Sequence, residues 1–148
     1  TNYSPELQKR FRSVKDIGEV ERLAEAYIFA LRNGKQEEQG WNAPPKGYQV
    51  SKALVSALTV VLAKENPYVA INYYCPGWVD TDMGHQGGKP PKTLEEGARI
   101  PVRLYIGQLD PDGDVDGKLG VEKTGKIIGR HYGNDGITER GWGKARKW

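Results

Sequence analysis

The 148-residue chain carries 22 Lys and Arg against 19 Asp and Glu, a formal net charge of +3, with 19 Gly, 9 Pro and 37% hydrophobic residues. One domain with a thin core is the expectation at that length and composition. The longest uncharged apolar stretch, 53–63, is well short of the roughly 20 residues a membrane span needs, and interspersed charges of both signs give no basic stripe for nucleic acid. Cys75, the single cysteine, has no internal disulfide partner, and neither it nor His85 and His131 keeps a zinc spacing, so a reducing compartment, the cytoplasm, is expected. The first residue is Thr1 and the sole methionine is Met83, so the chain reads as a piece of a longer one.

In chain order, Ser4-Pro5-Glu6 marks a helix start, with a capping hydroxyl, proline at the first helical position and an acid near the positive end of the dipole. It predicts a short helix through Phe11. From Asp16, the apolar positions Ile17, Val20, Leu23, Ala24, Tyr27, Ile28 and Leu31 follow three-and-four spacing, and Asn33-Gly34 ends that helix. Residues 35–47 read as loop. Ala53, Leu54, Ala57, Leu58, Val61 and Leu62 predict a strongly apolar helix over 48–64, ended by Asn66-Pro67. Residues 68–75 are rich in strand formers and stop at Pro76-Gly77, which predicts a buried strand. Residues 84–91 read as a flexible Gly/Pro-rich loop. Thr93 with Glu96 three residues later is a capping box opening a helix to about Ile106, with Pro101 expected to bend it. After an Asp/Gly-rich stretch over 110–120, residues 125–132 read as a second strand and the tail as irregular.

Tyr48 and Lys52 stand four apart on one helix, so their side chains share a face. A phenol titrates at about 10, and a neighbouring ammonium lowers that value, which suits the tyrosine to general acid/base work near neutrality. The same spacing also occurs on helices with no such role. Beyond the strand comes Pro76-Gly77-Trp78-Val79-Asp80-Thr81-Asp82-Met83; ligands of open parallel sheets sit outside the carboxyl ends of strands, so this loop and the start of the Tyr48 helix are expected to meet there.

The combination resembles the second half of a short-chain dehydrogenase/reductase. Ser4-Pro5-Glu6-Leu7-Gln8, Gly40-Trp41, Tyr48 with Lys52, Cys75-Pro76-Gly77-Trp78-Val79, Thr81-Asp82-Met83 and Glu95-Glu96-Gly97-Ala98 resemble the family's carbonyl reductase branch, over about Ser4 to Lys126. The resemblance implies an α/β fold: the C-terminal part of a doubly wound Rossmann-type parallel sheet with flanking helices, the N-terminal strands missing from this chain. Residues 1–148 would form one partial domain, with 1–41 a helical insertion and 42–148 carrying the catalytic helix, the cofactor and substrate loop and the last strands. That insertion covers the surface other members use to oligomerise, so the intact protein is expected to be a monomer.

The resemblance further implies Tyr48 as proton donor to a substrate carbonyl and Lys52 as the residue that holds the nicotinamide ribose and lowers the tyrosine's pKa. Pro76, Gly77, Val79 and Thr81 match the loop that contacts the nicotinamide carboxamide and pyrophosphate of NADP(H). Trp78 and Met83 match positions lining the pocket for a small carbonyl substrate, a ketone, aldehyde or quinone; Trp78 reads equally as a plain core aromatic. The family's catalytic Ser and its upstream Asn would lie before Thr1, and no Gly-x-Gly-x-x-Gly follows a strand. The chain alone is therefore expected to be inactive, and stable only with its other half or in a self-associated state.

Two rival readings remain. Asp112, Asp114, Asp116, Gly117 and Leu119 imitate a calcium loop, but its last position is Lys123 and Glu122 falls one residue early. An acidic turn accounts for 112–122 equally well, and Asp80, Asp82 and His85 read as solvated, so no metal site is assigned. A basic tail with Trp142, Lys144, Arg146, Lys147 and Trp148 could serve an interaction module or fold back onto the core. A non-catalytic remnant, binding a partner or weakly binding calcium, is the alternative function.

Overall fold

Ser4 opens the first helix, α1 (Pro5–Arg12), its hydroxyl accepting the Leu7 N–H at 3.2 Å. This computed structural model describes residues 3–43, 46–106, 129–134, 136 and 138–146. They fall in two units, Thr1–Pro67 and Tyr68–Trp148.

In the first unit, Asp16 caps α2 (Ile17–Arg32) by accepting the Glu19 N–H, while the Glu19 carboxylate accepts the Lys15 N–H, both at 2.8 Å. The reciprocal bonds satisfy donors that a helix start leaves without partners. Asn33 and Gly34, the latter at φ +65°, end α2 where expected. α3 (Gly47–Glu65) extends the expected helix by one residue at each end. Leu7 and Phe11 of α1, Val20, Leu23, Tyr27 and Ala30 of α2, and Val50, Ala57, Val61 and Ala63 of α3 are buried.

The loop before α3 does more than connect. Trp41 is only 2% exposed, with its ring 5.2 Å from Tyr27, 6.0 Å from Phe11 and 6.2 Å from Tyr3, all edge-on. Such burial contributes about 1.5–3 kcal/mol per large apolar side chain. Gly40 delivers the tryptophan at φ +82°, and its carbonyl accepts the Ser4 N–H at 3.0 Å.

In the second unit, β1 (Tyr73–Tyr74) pairs in parallel with β2 (His131–Gly133), and β2 pairs antiparallel with β3 (Lys144–Arg146). Three expectations need correction. The strand over 68–75 shrinks to two residues, and its start is not buried: Tyr68 is 94% exposed. Strand formers make a strand only where a backbone faces them, and hydrogen bonds to the segment leading into β2 begin at Ile71, whose carbonyl accepts the Gly129 N–H at 2.7 Å. The second strand begins at His131; of the range expected for it, 125–128 lies outside the described residues. The tail is not irregular, because β3 makes the sheet mixed, with Tyr132 opposite Ala145.

Tyr132 is fully buried and packs with Ile100, Leu104 and Ala145. Ile100 and Leu104 belong to α5 (Leu94–Ile106), which starts on the expected capping box: Glu96 accepts the Thr93 N–H at 2.9 Å and Thr93 Oγ1 accepts the Glu96 N–H at 3.3 Å. Pro101 lies inside α5. A single turn, α4 (Asp82–His85), forms under a Thr81 cap and takes in the first two residues of the loop expected over 84–91. The calcium-like segment over 112–122 lies outside the described residues. Among the described residues no helix is long and apolar enough to cross a membrane, and no group of three or more His, Cys, Asp or Glu is placed to hold a metal ion.

Candidate active site

The start of α3 is anchored from below and open above. Val50 is buried, while Tyr48 and Lys52 face outward, Tyr48 at 66% exposure. Helical spacing brings the pair together as expected: the Lys52 Nζ stands 5.5 Å from the centroid of the Tyr48 ring. A cation over an aromatic face is attracted to the ring, so the ammonium and the phenol are held side by side on one exposed face of the helix.

The second group of expected residues occupies one loop of the other unit. Gly77 takes φ +83°, a left-handed conformation that a side chain disfavours, and turns the chain directly after Pro76. The Trp78 ring lies beside Gly87 and Gly88, where an added Cβ would touch it, and its Nε1–H donates to the Gly84 carbonyl at 2.8 Å. Trp78 thus holds the loop to its own return. Val79 is gripped from two sides: a Cβ on Gly97 would stand 2.6 Å from its Cγ2, and a Cβ on Gly84 would collide with its carbonyl oxygen. Thr81 is spent on capping α4, and Met83, 72% exposed, projects from that turn. Asp80 and His85 pair at 2.6 Å with both side chains more than half exposed, in keeping with a solvated pair.

One residue of this region escaped the sequence reading. Lys92 is 1% exposed, and its Nζ donates to the Pro76 carbonyl at 3.1 Å. It borders a cavity of about 170 Å³ whose lining also includes Cys75, Gly77, His131, Asn134 and Arg146. Burial lowers the Lys92 ammonium's pKa from its ordinary value, opposed by Cys75, Glu139 and Glu96 and assisted by Arg140. Burial, followed by the Arg146 charge, likewise lowers that of His131, whose ring stacks on Tyr73 at 4.9 Å. The available signal was positional: Lys92 follows Pro90-Pro91 and directly precedes the capping box.

No family model matches the chain. Carbonyl reductase [NADPH] 3 of Rattus norvegicus is 37% identical over 118 residues, 75% of this chain and 40% of that protein. Carbonyl reductase [NADPH] 1 of Homo sapiens is 37% identical over 119 residues, with the same coverage. Short-chain dehydrogenase/reductase 1 of Saponaria officinalis is 38% identical over 98 residues, 61% of this chain and 32% of that protein. The chain resembles the short-chain dehydrogenases/reductases. The structure of salutaridine reductase from Papaver somniferum superposes with a TM-score of 0.62 at 27% identity, covering 75% of this chain and 37% of that one. This chain's α/β fold, with its small mixed sheet and flanking helices, is thus similar to that of a short-chain dehydrogenase/reductase. The chain spans about 40% of the length of the carbonyl reductases it matches.

Proposed function

We propose that this chain supplies the proton-donor helix and the cofactor and substrate loop of an NADPH-dependent carbonyl reductase of the short-chain type. The observation that carries the reading is the outward-facing Tyr48 and Lys52 pair, in a chain 37% identical to proteins named NADPH carbonyl reductases. The chain's place is the C-terminal part of a doubly wound Rossmann-type sheet, in a monomeric cytoplasmic enzyme that reduces ketones, aldehydes or quinones to alcohols.

The residues present fit the cofactor: Gly77, with no side chain and φ +83°, lets a ligand approach its own backbone closely. NADPH, when bound, supplies the hydride that reduces the carbonyl carbon. Tyr48 Oη gives its proton to the carbonyl oxygen, and the Lys52 ammonium stabilises the phenolate left behind and holds the ribose hydroxyls. Pro76, Gly77, Val79 and Thr81 hold the nicotinamide carboxamide and pyrophosphate, largely through backbone groups. Trp78 and Met83 line the pocket for the substrate.

The test is NADPH oxidation with a quinone or an aromatic ketone, using the natural full-length product that contains this sequence. Tyr48→Phe is expected to lower kcat roughly 100- to 10,000-fold, the usual worth of a positioned acid, with thermal stability unchanged because the hydroxyl is exposed. Turnover by Tyr48→Phe equal to that of the parent protein would refute the assignment.

A further inference from the structure

We propose that Lys92 is a positioning residue that sets the shape of the 76–81 loop, and through it the affinity for the nicotinamide cofactor. The cofactor half of this inference rests on the carbonyl reductase reading; the loop half does not.

Lys92 holds the loop at two places. Its side chain donates from Nζ to the Pro76 carbonyl at the loop's start, 3.1 Å away and sixteen residues back in sequence. Its backbone pairs with Val79 as a parallel bridge, and its carbonyl accepts the Asp80 N–H at 2.8 Å. The left-handed turn at Gly77 lies between those attachments. A loop fixed only at Val79 and Asp80 could rotate its first two peptides about that turn; the lysine closes the arch.

The base from which Lys92 reaches is rigid. Thr93 and Glu96 close the capping box of α5 one residue later. Arg140 ties the preceding Pro91 carbonyl at 2.7 Å and the Glu96 carboxylate at 2.7 Å. Lysine is among the residues least often fully buried, and placing its head group at 1% exposure carries a desolvation cost. A methionine would fill the same volume without that cost. What it could not supply is the donor to Pro76, which gives the charge its role.

The test compares Lys92→Met with Lys92→Arg, which restores a donor. In the natural protein that contains this sequence and in both variants of it, amide hydrogen exchange is followed in peptides covering 76–81 and in peptides covering α5. Lys92→Met is expected to speed exchange over 76–81 by about tenfold, the worth of one net hydrogen bond, with α5 protection retained and Lys92→Arg close to the parent. Unchanged exchange over 76–81, or equal loss of protection across the whole second unit, would overturn the inference.

In the full-length product, Lys92→Met is expected to raise the Kd and KM for NADPH about tenfold and to leave kcat at saturating NADPH within about threefold. A merely destabilised protein would instead lose active fraction, lowering kcat at constant KM. That opposite pattern, or unchanged NADPH affinity, would overturn the cofactor half. If the parent protein binds no NADPH, the carbonyl reductase reading falls, and the exchange measurement still decides what Lys92 does. Should Lys92→Met not fold, Lys92→Gln takes its place in both measurements.

Discussion

The start of α3 and the loop that follows β1 carry equal shares of the proposed chemistry, yet they are held in opposite ways. Tyr48 and Lys52 need only a helix beneath them, fixed by one buried valine and by spacing, and their own side chains are otherwise in solvent. The 76–88 loop is tied by the Trp78 indole, the Lys92 ammonium, two crowded glycines and a threonine cap. A reacting side chain on a regular helix is positioned by its backbone. Groups that must act through an irregular backbone need many separate restraints, each spent on one peptide.

That contrast predicts where substitutions hurt. The largest effect is expected in the loop: Gly84→Ala drives a methyl group into the Val79 carbonyl and should destabilise the second unit by about 1–3 kcal/mol. Denaturant unfolding would measure it, and a stability equal to the parent's would show that α4 yields freely. The next is the capping box. Thr93→Ala removes the hydroxyl that accepts the Glu96 N–H and should cost about 1 kcal/mol, with faster exchange confined to the first turn of α5.

The smallest effect concerns acid. Burial and the Arg146 charge lower the His131 pKa from 6.5, so as pH falls the unfolded chain takes up this proton before the folded chain does. The stability linked to His131 is complete above about pH 6.5 and is lost as pH drops from there toward the lowered folded value. His131→Phe keeps a ring to stack on Tyr73 and is expected to flatten that part of the stability–pH curve; an unaltered slope would assign it to other groups.

The helices and their caps were legible because their signals are local. Ser4, Asp16, Asn33 and the pair Thr93 and Glu96 do what their types do near helix ends, and three-and-four spacing gave the lengths of α2 and α3. The sheet was not, since partners distant in sequence decide it. Tyr68 and Val69 carry strand propensity yet stay exposed and outside β1, while Lys144 to Arg146, two of them charged and none of them a strand former, become a strand because β2 lies beside them. Tyr48 and Lys52 were readable as a pair from spacing alone. Lys92 was not, because a lone lysine is assumed to be solvated.

Arg103 adds a consequence in time. Almost fully buried on α5, it donates from Nη1 to the carbonyls of Trp142 at 3.0 Å and Gly143 at 2.7 Å, partners 39 and 40 residues further on. At roughly 5–20 residues per second, the ribosome makes those carbonyls about 2–8 s after the arginine. Until they emerge, the guanidinium lacks these two acceptors, and the apolar face of α5 that includes Ile100 has no β3 beside it. The docking of α5 against β3 therefore waits for a segment made well after the helix itself.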